Sequence, residues 1–225
     1  MHQLDLDIID NCEPGRIRAP FSWYGGKKLL ASWIISYLTP CKIYVEPFAG
    51  AANVFWHLPT GFYQMAVLND IDERVVRVYR ALQDPDKFEK LAHMLIWTPY
   101  SRAEYRRALE ILSANDADDV EAAWALIVAS VQGYSGWFKT DGNWSRSFSC
   151  DKPGAWHRRA GLLPVWREKL ARAYIDNVDA MACIKYWDSA DTLFYVDPPY
   201  VVDVRAEKYG YRYELDLAGH ARLVQ

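Results

Sequence analysis

The chain has 225 residues, 51% of them apolar and 24% charged, with a net charge of −3. That is enough sequence for one large domain, or one domain carrying a substantial insertion, and the composition is that of an ordinary globular protein. A net negative charge excludes a global attraction to polyanions, so any nucleic-acid surface must be a local basic patch. The four cysteines (Cys12, Cys41, Cys150, Cys183) are scattered without CxxC spacing, which reads as reduced thiols rather than a disulfide framework or a metal site. Met1 to Asp10 lacks the apolar core of a signal peptide, and no run is long enough to span a membrane. The expectation is a cytoplasmic protein.

In chain order, residues up to about 19 read as a loose arm with some basic character from Arg16 and Arg18. Trp23-Tyr24-Gly25-Gly26-Lys27 then leads into a helical pattern over 29–38; two glycines before a helix let the backbone approach a ligand closely. Residues 41–46 read as a strand, Pro47 to Gly50 as a tight turn, and 52–58 as a helix, the first unit of a doubly wound sheet. Ala52 tolerates a positive φ poorly, so an ordinary backbone conformation is expected there. Residues 65–70 read as a second buried strand ending in Asp70, placed for ribose hydroxyls; Asp72 is the competing acid and reads as the N-cap of a helix over 73–82.

From 84 to 133 the pattern is helical, with a capping box at Ser101 to Glu104 and a helix over 118–131 with apolar Ala122, Leu126 and Ala129 on one face. Between Gly133 and Arg172, eight basic and three acidic side chains leave a local excess of five positive charges, and Trp137, Phe138, Trp144, Phe148 and Trp156 interleave with them. Phosphate contacts plus stacking residues are the ingredients of a DNA-reading surface. Lys139, Arg146, Lys152, Arg158 and Arg159 are the candidate DNA contacts. A third strand is expected at 173–177, a helix at 179–187, and a last strand at 193–196 that runs into Asp197-Pro198-Pro199-Tyr200. Prolines cannot rejoin a β-ladder, so this turn leaves a carboxylate, free carbonyls and an aromatic face at the edge of a sheet.

These four stretches, in this order, resemble the Dam-like (D12 class, α-group) DNA adenine-N6 methyltransferases. Trp23 to Lys27 is similar to their W-x-G-G-K motif, Glu46 to Ala52 to E-P-F-x-G-x-G with Ala52 departing from the second glycine, Leu68 to Asp72 to their second-strand acid, and Asp197 to Tyr200 to the D-P-P-Y signature. The resemblance implies an α/β fold, a doubly wound Rossmann-like methyltransferase sheet with a mainly helical inserted target-recognition domain. Residues 1–84 would begin the cofactor-binding catalytic domain, 85–172 would be the insert, and 173–225 would return to the catalytic domain, with further C-terminal strands expected to be missing. It implies S-adenosyl-L-methionine as methyl donor, held by Trp23, Lys27, Phe48, Gly50, Asp70 and Asp197, and no metal. Asp197, Pro198 and Tyr200 would grip the amine of an adenine flipped out of double-stranded DNA, and residues 201–213 would form a lid.

The resemblance leaves room for a cognate restriction enzyme as partner and fixes neither the recognition sequence nor the oligomeric state. The segment from Gly133 to Pro153 does not match the pattern of the family's GATC readers. Three alternatives stay open at this point: a truncated, inactive DNA-binding remnant, a cytosine-N4 enzyme, and a methyltransferase acting on protein glutamine.

Overall fold

The structure, a computed structural model, describes residues 17–114, 116–134, 141–201 and 212–224. Four parallel strands form one sheet: β1 (Ile43–Glu46), β2 (Met65–Asn69), β3 (Ala173–Asp176) and β4 (Thr192–Phe194), in the order β3-β2-β1-β4. Ile43 stands opposite Met65 on one side and Thr192 on the other, and Ala66 opposite Ala173. Parallel neighbours require crossover connections. Here α2 (Asn53–His57) joins β1 to β2, and α9 (Ala180–Trp187) joins β3 to β4. Between β2 and β3 run α3 (Glu73–Gln83), α4 (Pro85–Trp97), α5 (Arg102–Ala114), α6 (Asp119–Gln132), α7 (Lys152–Ala160) and α8 (Leu163–Leu170). The chain winds outward from β1 to β3, then returns to the other side of β1. That reversal opens a crevice at the carboxyl ends of β1 and β4, where open α/β sheets bind ligands.

The helix starts follow from local chemistry. Asp72, Asp84, Asp118 and Asp179 each cap a helix by accepting backbone N–H bonds, and Ser101 Oγ accepts the Glu104 N–H at 3.2 Å. The helix expected over 29–38 is shorter: α1 spans only Ala31–Ile35, and Leu29, Trp33 and Tyr37 are exposed. The predicted apolar face of the sixth helix also understates its burial. α6 packs against α3, α4 and α5, and Ala122 to Ser130 are all buried, so an all-round apolar sequence suits it.

One large hydrophobic cluster gathers Phe21, Tyr44, Phe55, Trp56, Leu68, Tyr79, Tyr105, Trp124, Leu126 and Trp166; on the sheet's other face a small cluster holds Val45, Val67 and Cys183. Three indoles in the large cluster also tie segments together. Trp124 Nε1 donates to Thr98 Oγ1 (2.8 Å), Trp156 Nε1 to the Thr98 carbonyl (2.7 Å) and Trp166 Nε1 to the Arg18 carbonyl (2.7 Å). Among the described residues β4 pairs with β1 alone. No helix among them is long and apolar enough to cross a membrane.

Candidate active site

The turn after β1 is shaped from both sides. Gly50 adopts φ 47°, its N–H donates to Asp70 Oδ2 (2.7 Å), and its carbonyl accepts from Tyr79 Oη (2.6 Å). A Cβ at Gly50 would lie 2.7 Å from Trp23 Cδ1, so the missing side chain is what lets the indole lie on the turn. Ala52 corrects the expectation of an ordinary backbone: it sits at φ 49°, ψ 43°, left-handed, immediately before α2. Its neighbours impose this, because the chain must turn from β1 into α2 within six residues while Ala52 is fully enclosed.

Asn69, wholly buried at the end of β2, laces three strand ends together. Its Nδ2 donates to the carbonyls of Pro47 (2.9 Å) and Val178 (3.0 Å), and its Oδ1 accepts the Val178 N–H (2.9 Å). Next to it, Asp70 accepts backbone N–H bonds from Gly50 and from Asp72 (2.8 Å). Burial pushes the Asp70 carboxyl up to about 6, against the pull of those two bonds. Asp72 is the N-cap of α3 and pairs with Arg74, as its sequence context suggests.

The D-P-P-Y turn follows β4 directly. Tyr195 continues the pairing with β1 through its N–H to the Val45 carbonyl (2.9 Å). Lys27 Nζ meets both oxygens of Asp197, each at 2.6 Å, while also donating to the Gly25 carbonyl (3.0 Å) and lying 4.8 Å from the centre of the Tyr200 ring. Burial lowers the Lys27 ammonium, but its bonds to Asp197 and Tyr200 outweigh this and hold it above its ordinary value. The Pro198 carbonyl accepts no hydrogen bond among the described residues, whereas the Pro199 carbonyl meets His220 Nε2 (2.9 Å) on α10 (Leu217–Leu223).

A cavity of about 240 Å³ opens between these turns, and Trp23, Lys27, Phe48, Gly50, Asp70 and Asp197 all line it. Pro198 and Tyr200 do not line it; they continue past Asp197, and Tyr200 is 44% exposed. Sequence reasoning missed Glu46, Asn69, Tyr195 and His220. Glu46 is buried, accepts from Tyr44 Oη and the Phe55 N–H (both 2.8 Å), and is pushed by burial up to about 8. A carboxylate and an amide inside otherwise apolar strands were the available signals for Glu46 and Asn69.

The basic candidates occupy different settings. Arg146 is exposed, Lys152 is half-buried at the start of α7, and Arg158 is exposed and pairs with Asp151 (3.5 Å). Arg159 turns inward, its Nη1 donating to the carbonyls of Ala19 (3.0 Å) and Pro20 (3.2 Å). Lys139 lies outside the described residues, as do Trp137, Phe138 and most of the segment expected to form a lid. Among the described residues no group of three or more His, Cys, Asp or Glu is placed to hold a metal ion.

A family model for the D12 class N6 adenine-specific DNA methyltransferase matches residues 23–222. The chain belongs to that family. It is an adenine-specific DNA methyltransferase, and its parallel α/β sheet agrees with the Rossmann-like architecture the motifs imply. No curated protein matches the chain.

Proposed function

We propose that this methyltransferase transfers the methyl group of S-adenosyl-L-methionine to N6 of an adenine flipped out of double-stranded DNA. The observation that carries the reading is the convergence of Asp197 on the cavity that Trp23, Phe48, Gly50 and Asp70 also line, with Tyr200 just beyond it. The residues present suit the donor. The bare Gly50 backbone beside the Trp23 indole admits a close-fitting ligand, the Asp70 carboxylate faces the cavity as an acceptor for ribose hydroxyls, and Phe48 offers an apolar wall. When bound, the donor supplies an electrophilic sulfonium methyl.

The chain's own residues prepare the amine. An exocyclic amine conjugated to a ring is a poor nucleophile. The Asp197 carboxylate and the Pro198 carbonyl, unengaged among the described residues, offer two acceptors for its two hydrogens, which draws the nitrogen toward tetrahedral geometry and frees its lone pair. The half-exposed Tyr200 ring offers a stacking face that offsets part of the unstacking cost of a flipped base, on the order of a few kcal/mol. Lys27, joined to both Asp197 oxygens, orients that carboxylate.

Residues 85–172 supply the target-reading part in this account, with Arg146, Lys152 and Arg158 as phosphate contacts and Lys139 added on its place in the same basic segment, while Arg159 is turned inward to the Ala19 and Pro20 carbonyls. The test is nucleoside mass spectrometry of methyl-free duplex DNA incubated with the protein and S-adenosyl-L-methionine. N6-methyladenine that disappears with Asp197→Ala is the expected result. N4-methylcytosine, or no product from a folded protein, would refute the reading.

A further inference from the structure

The D-P-P-Y turn is also anchored from α10. His220, half-buried on that helix, meets the Pro199 carbonyl through Nε2 at 2.9 Å, across 21 residues of sequence. A carbonyl oxygen only accepts, so Nε2 carries the proton in this contact. The Tyr195 N–H to the Val45 carbonyl fixes the start of the turn, and Lys27 fixes Asp197. The His220 bond holds its far end.

Proline rings fix φ at both Pro198 and Pro199, so ψ is the soft torsion each of them keeps. At Pro199 the peptide plane carries the carbonyl oxygen and the Tyr200 nitrogen together, and ψ turns both about one bond. A hydrogen bond that holds the oxygen therefore sets the direction in which the chain leaves for Tyr200. The Tyr200 ring, 4.8 Å from Lys27 Nζ, is then held from both ends. α10 is a firm base for this. Asp216 Oδ1 accepts the Gly219 N–H at 2.7 Å, and a Cβ at Gly219 would lie 2.5 Å from Leu215 Cδ1, so the helix is capped and closely packed without help from His220. Gly219, Arg222 and Leu223 share one face, by their i, i+3, i+4 spacing, and line the cavity; His220 stands about 100° round from Gly219, on the side that meets the turn.

We propose that His220 is a positioning residue for methyl transfer: by holding the Pro199 carbonyl it sets the Tyr200 ring where the flipped base stacks. The proposal rests on the DNA-methylating reading above. His220 touches neither the base nor the donor in this account; it acts through Tyr200. A ring already in place loses little freedom when the base arrives, so more of the stacking energy offsets the cost of extruding it. Without the bond, ψ of Pro199 is released and the ring must be ordered at each encounter. The cavity wall should survive that change, because α10 keeps its Asp216 cap and its Gly219 packing.

The test is the initial rate of N6-methyladenine formation on methyl-free duplex DNA, with DNA and S-adenosyl-L-methionine varied in turn. His220→Leu keeps the bulk and removes the donor; kcat/KM for DNA should fall about 10-fold, the scale of one net hydrogen bond, with KM for S-adenosyl-L-methionine unchanged. His220→Gln restores an N–H and should recover most of the loss. His220→Glu, the same size as Gln but without the donor when ionised, should behave like Leu, and it carries the test if His220→Leu lowers the thermal unfolding transition. In a Tyr200→Ala background, His220→Leu should cost nothing further, because the two residues act as one unit. Wild-type kinetics in His220→Leu overturn the proposal. So does an equal loss in the Tyr200→Ala background, or a rise in KM for S-adenosyl-L-methionine that accounts for the whole effect, which would make His220 a support of the cavity wall. A wild-type protein that forms no N6-methyladenine defeats the function reading and this role with it, whereas an active wild type beside an equally active His220→Leu defeats this role alone.

Discussion

Lys27 and Asp197 lie 170 residues apart in sequence and 2.6 Å apart in space, and in the proposed reaction this pair sets how the amine is met. A half-buried carboxylate bonded through both oxygens to an ammonium is fixed in rotamer, with its remaining lone pairs placed to accept a hydrogen bond. Lys27→Met should therefore lower kcat by roughly 10²-fold, the scale of removing one preorganised electrostatic partner. Lys27→Arg should recover part of it, since a guanidinium also meets two carboxylate oxygens. A Lys27→Met enzyme turning over at the wild-type rate would show that the pair is incidental. Asp70 offers a pH test. Its folded carboxyl is raised from the ordinary 3.8 to about 6, so its protonated form favours the folded state below 3.8 and that contribution is lost as pH rises through about 6. Cofactor binding should run the other way, because only the carboxylate accepts from two ribose hydroxyls. Affinity for S-adenosyl-L-methionine, followed by calorimetry from pH 5 to 8, should rise through about 6 and become flat in Asp70→Asn.

At the scale of elements, the turn between β1 and α2 lines the cavity, and in the proposed reading it is where backbone and ligand chemistry meet. Gly50→Ala would force a side chain into a left-handed conformation, at a cost of roughly 1–2 kcal/mol, and drive its methyl into Trp23. The expected outcome is a lower Tm together with weakened cofactor binding; a variant with normal affinity would mean Trp23 does not contact the donor. Glu46 joins β1 to α2 through the Phe55 N–H, and its carboxyl is raised from 4.5 to about 8. The stability it gives is full below 4.5 and lost as pH climbs through about 8, while the change at Lys169, lowered to about 8, lies above that range. Glu46→Gln should therefore flatten the fall in Tm between pH 5 and 8. What sequence could show at this scale was local. Asp72, Ser101, Asp118 and Asp179 announced their helix starts, and the D-P-P-Y turn announced the end of β4, because caps and prolines act on their own neighbours. Ala52 did not, since its left-handed backbone is imposed by enclosure rather than by its own preference.

Across the whole molecule, the sheet order was legible only in part. Apolar runs ending in acids marked the strands, but nothing local in β4 says that it returns beside β1 and so makes the crevice. The Lys27–Asp197 pair and the inward turn of Arg159 were hidden for the same reason, since each depends on contacts more than 130 residues away. The least legible feature was the single large core. α6, from the middle of the helical stretch, packs on α3, which follows directly from the cofactor-side strand β2, and the cluster runs on through Trp166 to Phe21. A helix buried on every side cannot loosen without exposing α3, and α3 carries Tyr79, whose hydroxyl holds the Gly50 carbonyl. Leu126, fully buried in α6, thus sits in a chain of contacts that ends at the Gly50 turn lining the cavity. Leu126→Ala should cost about 2–5 kcal/mol, and the loss should appear as one transition rather than two. Tryptophan fluorescence and far-ultraviolet circular dichroism would report the helices, and quenching of a bound cofactor analogue the cavity, during one denaturant titration. Coincident midpoints, all shifted alike by Leu126→Ala, are the expected outcome. A cavity signal that keeps its wild-type midpoint while the helices melt early would show that the helical stretch is an independent folding unit resting on the sheet.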